Sequence, residues 1–208
     1  MTLSKIFAIG ALLGTAWSVA LPSDTDLPSA VDSSILDQSF HDYLSSNPED
    51  YTIHSVLGDS AANLNITMTD ILNPEFRATN GLDSATTSPV PRGVFSKRWN
   101  DQCLDRSNFG HVLAAYACRD IINSRGGLIT VYGQYQLNLL CNIDVAHAGY
   151  INVYGQPLLG SSTSAAGDVA TGVNWIIQHC LGNICNCGVA GAAAAYGNGN
   201  FIVWAKNN

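Results

Sequence analysis

Six cysteines carry the most legible chemistry in this sequence: Cys103, Cys118, Cys141, Cys180, Cys185 and Cys187, all of them after Trp99. Thiols at such positions either pair oxidatively or, as thiolates, hold a metal ion. The metal reading rests on Cys180, Cys185 and Cys187, whose C-x4-C-x-C spacing lacks the paired knuckles of a structural zinc site. Disulfides are therefore expected, with no metal and no cofactor. Six cysteines allow about 15 connectivities, and the sequence does not choose among them. Cys185 and Cys187 are only two apart, so direct pairing would be strained and each is expected to reach elsewhere.

The remaining candidates for chemistry are sparse. From Trp99 onward there are three histidines (His111, His147, His179) and no Glu. No G-x-S-x-G elbow, H-E-x-x-H helix or phosphate-binding loop occurs. Asp144 and His147 are three apart, but nothing else joins them into a tuned acid–base set. His179 falls at the end of an expected helix, where a partly positive ring complements the helix dipole. A small ribonuclease using two histidines as acid and base is the natural enzyme reading; guanyl-type fungal ribonucleases use a Glu base, which is lacking here. No catalytic residue is assigned. Tyr132, Tyr135, Tyr150 and Tyr154 could instead form an exposed recognition face, against a default of cross-strand packing.

These residues sit in the last of three unlike segments. Residues 1–20 combine Lys5, an apolar run and the small residues Ser18 and Ala20, which is the pattern of a secretory signal peptide. Residues 21–98 hold no Cys, eleven acidic and four basic residues, and stretches such as ATTSPVPRG. Low hydrophobicity with excess charge predicts a poorly ordered acidic propeptide, with some helix near residues 35–44. It ends in Lys97-Arg98, a dibasic pair resembling the sites cut by kexin- and furin-type processing proteases. Composition changes at that point and every Cys follows it. The sequon at Asn65 would mark the precursor and not the product. Residues 99–208 are the expected mature domain.

That domain has five Asp against four basic residues, a net charge of −1. It offers no basic footprint for a phosphate backbone, so nucleic acid is not an expected partner. Secretion exposes it to an oxidising route, in keeping with the cysteines.

Periodicity supplies the elements. Leu113, Ala117 and Ile121, with Cys118 and Ile122 beside them, predict a helix over 108–124 that Gly126-Gly127 ends. Val169, Val173, Ile176, Ile177 and Cys180 make one stripe of a helix over 164–180, with Ser161–Ser164 offering caps. Strands are expected over 128–132, 137–141, 150–154, 188–196 and 201–205. Gly197-Asn198-Gly199-Asn200 marks a hairpin between the last two. The alanine run 192–195 could be helix, but its glycines favour a strand on which a helix packs closely. VYGQ occurs twice, at 131–134 and 153–156. The expected fold is α+β: a compact, disulfide-stapled α/β sandwich, an antiparallel sheet with two helices on one face and split β-α-β connectivity.

Residues 103–205 resemble small secreted fungal proteins of the killer-toxin-like and necrosis-inducing extracellular effector type. The likeness to the effectors rests on the order DQC (101–103), SNF (107–109), ACRDI (117–121), GG-x-x-TV (126–131), Cys141 and Val203-Trp204. The likeness to smut-fungus toxins rests on His179-Cys180, Cys187-Gly188 and the Gly/Asn turn before the last strand. The resemblance implies an α/β sandwich and a non-enzymatic toxin or virulence effector acting on competitor fungi or host cells, with the target cell's membrane surface a candidate contact. The chain departs from those toxins in being less basic and poorer in cysteine. Lys206 is the only lysine of the domain, so no lysine-dependent channel block carries over. A secreted ligand- or glycan-binding module is the alternative reading, and a small hydrolase or ribonuclease a lesser one.

Overall fold

The structure is a computed structural model that describes residues 42–43, 45–60, 66–80, 99–146, 149–182 and 187–208. Residues 1–20, Asn65, Lys97-Arg98, His147 and Cys185 lie outside the described residues.

Alternation of buried and open positions makes the long strands, with Leu140 and Asn152 as buried exceptions. In GYINVYGQP the odd positions Ile151, Val153 and Gly155 are buried while Tyr150, Tyr154 and Gln156 are more open, as a half-buried strand requires. Along the chain the strands are β1 (Tyr51–Val56), β2 (Asp59–Ser60), β3 (Gln102–Cys103), β4 (Gly110–His111), β5 (Leu128–Tyr132), β6 (Asn138–Val145), β7 (Gly149–Pro157), β8 (Ser161–Ala165), β9 (Gly188–Val189), β10 (Gly191–Ala195) and β11 (Asn198–Lys206). The helices are α1 (Met68–Leu72), α2 (Pro74–Asn80), α3 (Val112–Arg125) and α4 (Ala166–His179).

Seven strands form one antiparallel sheet in the order β2-β1-β6-β7-β11-β10-β3. β11 lies between β7 and β10 and is antiparallel to both, so β7 and β10 run parallel and are joined through α4. This is the expected split β-α-β connectivity. α3 and α4 cover the same face. Cys118 on α3 is bonded to Cys141 on β6, which faces the same way as Val153 and Ala205. A Cβ on Gly172 of α4 would lie 3.0 Å from Cγ2 of Val203 in that face. The fold is thus α+β, with an antiparallel sheet and both long helices on one side.

The alanine run is strand β10, and the reason is close packing. A Cβ on Gly191 would lie 2.9 Å from Cys180 Sγ and 3.0 Å from Ile176 Cγ2. Only a small-residue strand lets α4 approach this closely. Gly197 turns with φ +75° into β11, as the Gly/Asn hairpin requires.

Three expectations are corrected. First, residues 51–60 and 68–80, expected to be poorly ordered, form β1, β2, α1 and α2. β1 pairs with β6 from Tyr51↔Val145 to Val56↔Cys141, and Tyr51, Val56 and Met68 are in the main hydrophobic core. The acidic average of the segment conceals this short amphipathic stretch. Second, Ser161–Ser164 do not cap α4. They belong to β8, which pairs with β5 as a separate ribbon; Thr130 and Thr163 hydroxyls meet at 2.8 Å across it. The N-cap of α4 is Ala165, with no side-chain bond. A cap contributes only about 1 kcal/mol, whereas burying Val169, Val173, Ile176 and Ile177 is worth roughly 1.5–3 kcal/mol each. Third, α3 begins at Val112, because Arg106–Asn108 form a single 3-10 turn and Gly110–His111 pair with β9. The two VYGQ copies occupy different settings. Gly133 is in a turn with φ +79°, whereas Gly155 is mid-strand, where a Cβ would meet Val131 and the Phe201 ring within 3 Å.

Two disulfides are described. Cys103–Cys180 ties edge strand β3 to the end of α4, and Cys118–Cys141 ties α3 to β6. They close 77 and 23 residues, which in the chain-entropy account is worth about 4.5 and about 3.4 kcal/mol. Cys187 is also disulfide-bonded. Cys103, Cys118, Cys141 and Cys180 are taken by one another, so the expectation that Cys187 reaches one of these distant cysteines is not met.

Candidate functional site: the open face of the sheet

With α3 and α4 on one face, the other face of the sheet is left to solvent over β1, β6 and β7. Register places its residues in rows. Thr52, Asp144 and Tyr150 form one row; Ser55, Asn142, Asn152 and Lys206 the next; Leu139, Tyr154 and Trp204 a third; Gln156 and Ile202 a fourth. An open depression of about 470 Å³ is lined by His54, Ser55, Leu139, Asn142, Asp144 and Tyr150.

Side chains on this face hold each other in place. Asn142 donates from Nδ2 to Asn152 Oδ1, and Asn152 Nδ2 in turn reaches the Asn207 carbonyl at 3.4 Å. Trp204 Nε1 donates to Gln156 Oε1 at 3.0 Å. Gln156 Nε2 donates to the Tyr135 carbonyl at 2.8 Å. Lys206 Nζ stands 5.8 Å from the Tyr154 ring centroid, a cation–π distance. Burial, with Tyr150 nearby, raises the Tyr154 hydroxyl above its ordinary pKa. At the β10 end the chain folds back: Trp99 packs edge-on against Trp204 at 5.9 Å, and Asp101 Oδ1 accepts from the Ala194 amide. The face is closed there and open toward β6 and β1.

The four tyrosines considered from sequence divide into two pairs. Tyr150 and Tyr154 are on the open face. Tyr132 and Tyr135 are 64 % and 61 % exposed at the end of β5 and in the turn after it. Tyr135 has φ +59°, a left-handed conformation unusual for a bulky residue. Its amide donates to the Pro157 carbonyl at 2.8 Å, and Asn138 Nδ2 bonds the Tyr132 and Gln136 carbonyls. The turn backbone is clamped while its two rings project.

The histidines are placed on separate elements. His111 ends β4 and precedes α3; burial lowers its pKa. His179 stacks on Trp175 at 4.5 Å in the last turn of α4, with Nδ1 2.9 Å from the Trp175 carbonyl oxygen. Among the described residues no group of three His, Cys, Asp or Glu is arranged to hold a metal ion. Among them also, no helix is long and apolar enough to cross a membrane.

Sequence reasoning missed Asn142, Asn152, Gln156 and His54 as members of one surface. The alternation in NLLCNIDV and YINVYGQP carries the signal for the first three, since the polar positions of adjacent antiparallel strands share a face. No family model, curated protein or solved structure matches this chain.

Proposed function

We propose that the protein is a secreted, proteolytically processed, non-enzymatic toxin or virulence effector that contacts a competitor fungus or host cell through the open face of its sheet. The observation that carries this reading is the face itself: Tyr150, Tyr154, Trp204 and Lys206 are set among amide side chains that hydrogen-bond one another. Tyr and Trp side chains are what recognition surfaces concentrate. Disulfides support an oxidising destination. The signal pattern of residues 1–20 and the Lys97-Arg98 pair support export and a cut by a kexin- or furin-type protease.

The test is inhibition of indicator fungi, and necrosis in plant tissue, by the oxidised secreted product beside its reduced form. Activity that requires oxidation, and that a Tyr150→Ala/Lys206→Ala double substitution removes without changing the circular dichroism, is the expected result. Full activity in that double variant overturns the assignment of the face.

A second reading is favoured by the same rows: flat aromatic rings beside Asn and Gln amides are suited to a sugar, and in that reading the module acts by glycan binding alone. Signal on a glycan array without harm to any cell type selects it.

A further inference from the structure

The segment before the dibasic pair is built into the sheet. β1 covers the edge of β6 from Cys141 to Val145, and flanking bonds extend the contact: the Ala146 amide donates to the Asp50 carbonyl and the Leu57 amide to the Leu140 carbonyl. Tyr51, Val56 and Met68 are buried in the same core as α3 and β6, with Ile53, Ile66 and Leu72 packed against it. Two ion pairs cross between the segments: Arg77 to Asp120, with both side chains buried, and Asp59 to Arg125 at 3.2 Å. Without β1, β6 becomes an edge strand whose apolar residues Leu140, Cys141, Ile143 and Val145 border a row of unpaired backbone groups, the template on which other chains aggregate. Asp120, nearly fully buried on α3, would lose the Arg77 charge that faces its second oxygen.

We infer that residues 45–60 and 66–80 are a strand-donating subunit, which remains seated on β6 and α3 after the cut at Arg98. The active form is then a two-chain protein joined by backbone pairing, a shared core and two ion pairs, not an isolated domain starting at Trp99. The occupant of the β6 edge is this chain's own segment, complementary to it in register, apolar pattern and charge. This inference rests on the processing reading above for its biological meaning, and the experiment separates the two.

The secreted full chain is prepared with a recognition site for a sequence-specific protease inserted between Arg98 and Trp99, cut in vitro, and passed over a size-exclusion column at neutral pH in 0.5 M NaCl. Both pieces in one peak at equimolar ratio, parting only in guanidinium, is the expected result. Hydrogen exchange of residues 138–145 is expected to be as slow in the cut protein as in the uncut one. Elution of 99–208 without its partner, or loss of protection along β6 on cutting, overturns the inference. Mass spectrometry of the unaltered secreted chain reports separately whether Arg98 is the natural cut. An intact natural product refutes the processing reading, while the engineered cut still decides whether the segment stays.

Discussion

Arg77 Nη1 lies 3.7 Å from Asp120 Oδ2, and the two residues belong to segments on opposite sides of the Lys97-Arg98 pair. Both side chains are buried, and Arg119 Nε binds the other carboxylate oxygen at 2.6 Å. Asp120 thus links α2 to α3.

Removing Arg77 leaves a buried carboxylate with one partner fewer, the costly way to break a buried pair. Arg77→Met is expected to lower unfolding free energy by about 3 kcal/mol, seen as a fall in the urea midpoint with an unchanged slope. Arg77→Met with Asp120→Leu should recover part of that loss. If the single variant unfolds at the wild-type midpoint, the pair contributes nothing.

The two described disulfides differ in what they fasten. Cys103→Ala/Cys180→Ala opens the longer loop and should cost about 4 kcal/mol, with hydrogen exchange rising along β3 and β10. Cys118→Ala/Cys141→Ala should cost about 3 kcal/mol and loosen α3 from β6. Equal melting temperatures for both double variants and the parent would contradict this.

Gly191→Ala tests the close approach of α4 to β10. Its Cβ would lie 2.9 Å from the Gln102 carbonyl oxygen, a backbone atom that cannot swing aside. Overpacking of this kind costs about 1–3 kcal/mol; a melting temperature at or above that of the parent would refute it.

Burial holds His111 below its ordinary pKa of 6.5. The folded protein therefore resists protonating it, so the stability it allows is complete above pH 6.5 and declines as pH falls below that value. His111→Gln should flatten stability between about pH 7 and 5 in denaturant titrations. Asp168 acts in a lower window and with opposite sign. Burial raises its pKa above 3.8, so its penalty grows as pH rises through that region, and Asp168→Asn should stabilise at neutral pH. An unchanged profile in both variants would show that neither group is coupled to folding.

Sequence alone determined the features that depend on local pattern. The stripe from Val169 to Ile177 makes α4 by period 3.6, Gly197 makes the last hairpin through its positive φ, and the glycines around 192–195 mark a strand. Disulfide chemistry was likewise legible in residue type. Tertiary structure decided what depends on non-local partners. Nothing local distinguishes β5, which pairs with β8 in its own ribbon, from β6, which joins the large sheet. Cysteine pairing followed from which elements stack, placing Cys118 over Cys141. The entry of residues 51–56 into the sheet was hidden because an average over a 78-residue acidic segment dilutes six residues. Strand pairing is also chosen by an edge far along the chain, where β6 offers unpaired backbone groups, and composition does not report on that edge.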